Sequence, residues 1–165
     1  QYFALFRNVR VQVRVLATGE DHASAPEHVL ARLDEFRNAH EFESDDEFWF
    51  LTDVDRWGTG KLSRIARKAL QKGYALAISR PCFECWLFLH LANPPGEWTT
   101  CQQFKAGMRE RLGSYNPSNL SLEQFRGHMD DAIRRAKALD ANPKARWPDA
   151  VGSHVYRLVE RLLID

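Results

Sequence analysis

The 165-residue chain has little cysteine, no surplus of charge and no long hydrophobic run, and each shortage removes a class of protein. Three cysteines, Cys82, Cys85 and Cys101, are too few and too oddly numbered for a secreted disulfide scaffold, so reduced thiols are the expectation. Lys and Arg number 23 against 22 Asp and Glu, a net charge of +1. No overall basic field announces nucleic acid and no acidic tail is present, so a nucleic-acid role requires a local patch. No apolar stretch approaches the roughly 18 residues of a membrane span, and no signal-peptide pattern opens the chain, which points away from the membrane and toward the cytoplasm. Repeats, low-complexity tracts and long linkers are missing as well. So is an initiator Met: Gln1-Tyr2-Phe3-Ala4-Leu5-Phe6 has the spacing of a helix already under way, which predicts a missing upstream segment.

What is present is a 44% hydrophobic, 12% aromatic composition, enough for one well-buried core. Its centre is Glu47-Phe48-Trp49-Phe50-Leu51-Thr52-Asp53-Val54-Asp55. A short aromatic run, bounded by charge before and by Gly58 and Gly60 after, reads as a buried strand of a parallel sheet. Side chains two apart on a strand share a face, so Asp53 and Asp55 are expected to converge. Converging anions call for a cation, and Mg2+ or Mn2+ suits carboxylate oxygens at the carboxyl edge of an open α/β sheet. The plainer reading is a pair of solvated aspartates before the next helix.

Around that strand the pattern is α/β. Residues 1 to 8 read as a helix end, and Val9-Arg10-Val11-Gln12-Val13-Arg14-Val15 alternates as a strand with one exposed face. Pro26 opens a helix through Val29, Leu30, Leu33, Phe36 and Ala39. The turn Arg56-Trp57-Gly58-Thr59-Gly60-Lys61 lacks the glycine-to-lysine spacing of a phosphate loop. A helix follows to Lys72, with Gly73 as its left-handed stop, and Tyr74-Ala75-Leu76-Ala77-Ile78-Ser79 is a third strand. Pro81 then opens a helix with Phe83, Trp86, Leu87 and His90 on one face and Glu84 in its first turn. Cys82-x-x-Cys85 with His90 resembles half a zinc site, but no second Cys or His pair stands at suitable spacing. Glu84 and His90 have plain readings too, as a helix-start carboxylate and a hydrogen-bonded core histidine.

Beyond Asn93-Pro94-Pro95-Gly96 the pattern is helical. Thr99 or Thr100 caps a helix ending at Gly113; Ser121 caps a longer one through Phe125, Met129, Ile133 and Leu139; a last helix runs from about Ser153. The expected division is a core over 1–95 and a helical extension over 96–165 packed on the same domain. Arg126, His128, Arg134, Arg135 and Lys137 mark an outer face, and with Lys144 and Arg146 behind them they are the best candidates for contacting phosphates, although such a face is usually just solvated.

Three segments together carry a resemblance: Thr52-Asp53-Val54-Asp55, Ser79-Arg80-Pro81-Cys82-Phe83-Glu84-Cys85-Trp86-Leu87-Phe88-Leu89-His90, and Gly152-Ser153-His154-Val155-Tyr156-Arg157-Leu158-Val159-Glu160. They resemble the RloB-like family of bacterial proteins with a Toprim-type domain, and the middle segment is the specific one. The resemblance implies a Toprim-like, Rossmannoid, mostly parallel sheet flanked by helices, with a helical C-terminal region. It implies a Mg2+- or Mn2+-dependent nuclease acting on RNA such as tRNA, or on DNA, as an anti-phage effector. Asp53 and Asp55 would be its metal ligands, and Glu84 and His90 would join them in catalysis. Arg80, standing where the family has Asn, would join Arg134, Arg135, Lys144 and Arg146 on nucleic acid. Implied partners are an ABC- or AAA-type ATPase encoded nearby and a second copy of the chain. The family's first acidic residue would lie upstream of Gln1, and its lysine after the helical-region tyrosine has no counterpart at Tyr115-Asn116.

Two rivals stand beside this reading. A haloacid-dehalogenase-like phosphatase also uses Asp-x-Asp, but on its first strand and with Thr or Val where this chain has Trp57. A catalytically inactive Toprim-like module that binds nucleic acid or an ATPase fits the missing glutamate and the balanced charge.

Overall fold

Trp49–Asp53 forms β1, and Ala75–Arg80 forms β2. The two lie parallel in the register Trp49↔Ala75 to Asp53↔Ser79. Parallel strands need a crossover, and it is supplied by α2, Thr59–Gln71, whose apolar face buries Leu62, Ile65, Ala66 and Ala69. Gly73, at φ +81°, takes the left-handed turn that returns the chain to β2. This computed structural model describes residues 1–6, 11–16, 25–55 and 57–163.

Alternation along the strands assigns two cores. Phe50, Leu76 and Ile78 point to the side of α1, Pro26–Ala39, and α2, where they pack with Leu30, Leu33, Leu62 and Ile65. Trp49, Leu51 and Ala77 point the other way, onto a larger cluster built on α3, Phe83–Leu89. That cluster also takes Phe104 and Met108 of α4, Cys101–Leu112, Phe125 of α5, Glu123–Arg126, Ala132 and Ala136 of α6, Met129–Leu139, and Val155 and Val159 of α7, Val155–Leu162. Trp86 and Phe88 are fully buried there; burying each such side chain contributes about 1.5–3 kcal/mol or more. Tyr2 and Phe6 of the short 3-10 helix Tyr2–Phe6 cover the same cluster.

The α/β expectation holds in its coarse form. Among the described residues the sheet has three strands in the order β1-β2-β3 and is mixed, because β3, Gly152–Ser153, runs antiparallel to β2. A two-residue strand between α6 and α7 has no periodicity to announce it, so its residues read as a helix start. Of the strand expected over residues 9–15, the stretch 11–15 has no regular structure, and Val9 and Arg10 lie outside the described residues. The single long helix expected from Ser121 is two, α5 and α6, broken at Gly127 and His128. The expectation of three reduced thiols is corrected too: Cys82 and Cys101 are joined by a disulfide, leaving Cys85 as a buried free thiol. No helix among the described residues is long and apolar enough to cross a membrane.

Candidate functional site

At the carboxyl end of the parallel pair, Asp53 of β1 sits opposite Ser79 of β2, and Ser79 opposite Ser153 of β3. Residues opposite one another in a ladder share a face, so a polar row runs across the strand ends. The Ser79 and Ser153 hydroxyls are hydrogen-bonded at 2.8 Å, and Ser153 Oγ accepts the Val155 amide at the start of α7. On this face α3 begins. Burial, and then the Asp53 carboxylate nearby, push the Cys85 thiol up to about 12.

Glu84, one helical position before Cys85, shares the wall of an open cleft with Asp53, Ser79 and Tyr115. Its carboxylate is almost fully buried, in the first turn of α3, where the helix dipole favours an anion. Two groups converge on it: the Tyr115 hydroxyl donates to Glu84 Oε1 at 3.2 Å, and Lys105 Nζ of α4 lies 3.5 Å from the same oxygen. Burial, and then the Glu84 charge, hold the Tyr115 phenol well above its ordinary range, so it remains a donor.

Asp55 lies just beyond the end of β1. Strand β1 ends at Asp53, Val54 turns into the α1/α2 core, and Asp55 follows in an exposed turn. The regular strand ends at Asp53, so alternation along β1 no longer fixes the direction of Asp55. Asp55 lines a second cavity with Arg80, Gly58, Thr59 and Thr99, while Asp53 lines the first. Its carboxylate is 3.8 Å from Cys101 Sγ.

His90 is in the core. Its Nδ1 donates to the Trp86 carbonyl at 3.1 Å, which leaves Nε2 to accept the Tyr2 hydroxyl at 3.0 Å. Burial lowers its pKa to about 4, so it is neutral at pH 7. It lies six residues, about 9 Å of helix rise, beyond Glu84, and it braces the N-terminal 3-10 helix against α3.

The cations expected on nucleic acid have mixed placements. Arg135 donates to the Leu89 and His90 carbonyls at 2.6 and 3.1 Å, closing the C-terminal end of α3. Arg146 donates to the carbonyl and hydroxyl of Ser63, and Arg80 to the Asp149 carbonyl. Arg134 pairs with Asp131 on the exposed face of α6, and Lys144 is exposed. Closeness in sequence and the family resemblance grouped these residues as charges, but tertiary packing uses Arg80, Arg135 and Arg146 to hold the chain.

Lys105, Tyr115, Ser79 and Ser153 were not singled out from the sequence. Lys105 and Tyr115 reach Glu84 only because α4 packs on α3, a long-range pairing that no local pattern encodes. A faint signal existed for the serines, each standing where an apolar or glycine-led segment ends.

Among the described residues, no group of three His, Cys, Asp or Glu side chains is close enough to hold a metal ion. The first cleft instead offers two carboxylates, Asp53 and Glu84, with hydroxyl oxygens beside them. That all-oxygen set fits Mg2+, which keeps several waters and usually takes only one or two protein carboxylates, the rest coming from substrate phosphate.

An α/β protein with acidic and hydroxyl side chains gathered where its parallel strands end is the class these features define. Residues 1–162 match the model of the RloB-like protein family, and the chain belongs to that family. No curated protein and no solved structure matches it.

Proposed function

We propose that the chain is a Mg2+- or Mn2+-dependent nuclease that cleaves phosphodiester bonds in the first cleft. The observation that carries the reading is the shared cleft wall of Asp53 and Glu84, one at a strand end and the other at a helix start. Membership of the RloB-like family supports it, with the role of an anti-phage effector in the cytoplasm and an ATPase partner that this kinship implies.

Asp53 and Glu84 would hold the metal, and a bound divalent ion there would supply charge neutralisation and an activated water. The chain's own residues do the rest. The Tyr115 hydroxyl and the Lys105 ammonium orient the Glu84 carboxylate and offset the cost of burying it. Lys105, also half-exposed, presents positive charge to an incoming phosphate. Ser79, on the wall of the same cleft, offers its hydroxyl to a phosphate oxygen or to water, and the buried Ser153 hydroxyl holds it in place. Asp55 acts from the wall of the second cavity, which it shares with Arg80, where single-stranded nucleic acid passing over the sheet edge would meet both charges. His90 contributes by keeping α3 in place.

The test is cleavage of plasmid, single-stranded DNA and total tRNA in Mg2+, Mn2+ or EDTA, with Asp53→Asn, Glu84→Gln and Asp55→Asn in parallel. Metal-dependent cutting that Asp53→Asn and Glu84→Gln each lower by at least about a hundredfold is the expected result. Absence of cutting, with nucleic acid still bound in EDTA, would replace the reading with an inactive binding module. Turnover of a small phosphomonoester alone would replace it with a phosphatase.

A further inference from the structure

Cys82 and Cys101 stand 19 residues apart, and their α-carbons are 5.7 Å apart, within the range a disulfide requires. Their positions matter more than their separation. Cys82 is the residue before α3, whose first turn carries Glu84, and it follows the Arg80-Pro81 end of β2. Cys101 is the first residue of α4, the helix that delivers Lys105 to Glu84, and its sulfur touches the Asp55 carboxylate. The one covalent cross-link therefore ties the starts of two helices whose side chains meet at Glu84, and it lies against the other acidic candidate.

We propose that Cys82 and Cys101 form a reversible disulfide that switches the chain between a form with α3 and α4 locked at their N-terminal ends and one in which they are released. A chain with three cysteines and one bridge is unlike a secreted scaffold, and in a reducing compartment a bridge of this kind is transient and redox-sensing. Accessibility orders the steps. Cys101 is half-buried whereas Cys82 is 3% exposed, so the Cys101 thiolate attacks first. With a low-molecular-weight disulfide as oxidant, the Cys101 sulfur bonds to one sulfur of that disulfide and the other leaves as a thiolate, which takes up a proton. The Cys82 thiolate then attacks the Cys101 sulfur, forming the protein disulfide and expelling the second small thiol. Two protein thiols are oxidised and one small disulfide is reduced to two thiols.

The third cysteine is set apart from this exchange. Cys85 is fully buried on the strand side of α3, and its thiol is pushed up to about 12, so it neither ionises near neutrality nor meets an oxidant. The reduced state also changes Asp55. A disulfide sulfur has no proton to give, whereas the reduced Cys101 thiol, 3.8 Å away, donates a weak hydrogen bond to that carboxylate. Between the two sulfurs run α3 and then residues 91 to 100, which include Pro94, Pro95, Gly96, Trp98 and Thr99 of the second cavity's wall. The bridge closes this loop, and reduction frees it.

The test uses the full chain equilibrated in glutathione buffers of graded redox potential, alkylated, and read by peptide mass spectrometry and hydrogen exchange. A Cys82–Cys101 cross-linked peptide should appear in oxidising buffer and vanish in reducing buffer, with Cys85 alkylated only after unfolding. Amides of residues 91–100 should exchange about tenfold faster in the reduced form. Oxidation should raise the melting midpoint by about 5 °C or more, and Cys101→Ser should abolish the difference while melting like the reduced protein. Cys101 is half-buried, so Cys101→Ser keeps the fold even if a change at buried Cys82 does not. A bridge that never forms, one that pairs Cys85, or one that forms without changing exchange in 91–100 would overturn the proposal. None of these readouts depends on nuclease activity.

Discussion

Glu84 shows how one carboxylate can be both buried and ready for work. Oε1 takes a hydrogen bond from Tyr115 and faces the Lys105 ammonium, and the residue lines the cleft. Losing either supporting group should loosen the carboxylate without unfolding the chain, because both side chains are partly exposed. Tyr115→Phe and Lys105→Met are each expected to slow the proposed cleavage by about tenfold to a hundredfold, with melting midpoints unchanged. Cleavage rates across a Mg2+ titration, alongside thermal melts, check both halves of the expectation. His90 makes a different prediction. Its folded pKa is lowered to about 4 from an ordinary value near 6.5, so the unfolded chain takes up the proton first as pH falls. Stability is therefore full above about pH 6.5 and falls between about 6.5 and 4, by as much as roughly 3 kcal/mol. The buried His154, whose pKa is lowered first by burial and then by Arg157, shifts the same way. Urea denaturation at pH 7.5 and 4.5 should show this loss in the wild type and a smaller one in His90→Gln.

Helix α4 carries two element-scale predictions. Its start is a complete capping box: the Thr100 side chain accepts the Gln103 amide, and Gln103 Oε1 accepts the Thr100 amide at 3.0 Å. Thr100→Ala should cost about 1 kcal/mol. Within the helix, a Cβ at Gly107 would lie 2.1 Å from the Trp98 ring and 3.0 Å from Phe88. Gly107 is there for closeness, since it lets α4 approach the Phe88–Trp98 aromatic pair. Gly107→Ala is expected to destabilise by about 1–3 kcal/mol despite alanine's better helix propensity. Equilibrium urea unfolding, with Trp98 among the fluorescent reporters, measures both. Both features illustrate what was legible. The cap before α4, and Gly113 after it at φ +73°, were readable because capping chemistry is local. The reason for Gly107 was not, because Trp98 reaches it across a loop.

For the molecule as a whole, the C-terminal segment works as a clasp. Asp140, at the end of α6, is nearly inaccessible, and its Oδ2 accepts the Tyr156 hydroxyl at 2.8 Å and lies 3.2 Å from His154 Nε2 and 3.4 Å from Arg157. Burial alone would raise its pKa, yet the Tyr156 donor, His154 and the Arg157 charge bring it below the ordinary value. The clasp fixes α7, and with it β3, against β2, so the polar row at the strand ends depends on residues far from it. Asp140→Ala should cost about 1–3 kcal/mol, because it removes the acceptor of the Tyr156 hydroxyl and the partner of the buried His154. Unfolding by denaturant would check the cost, and greater proteolytic sensitivity after residue 140 would check the location.

The sequence by itself determined the α/β class, the β1–α2–β2 unit, the apolar faces and the family, because these depend on periodicity, caps and short runs of residues that act locally. It pointed to Asp53 and Glu84 through the ends of recognisable elements. Tertiary structure alone decided the rest. It ended the regular strand at Asp53, before Asp55, and placed His90 in the core. It brought Lys105 and Tyr115 to Glu84, turned Arg135 and Arg146 inward, and paired Cys82 with Cys101. In each case the deciding contact joins residues distant in sequence, where only the packing of one element on another fixes which side chains meet.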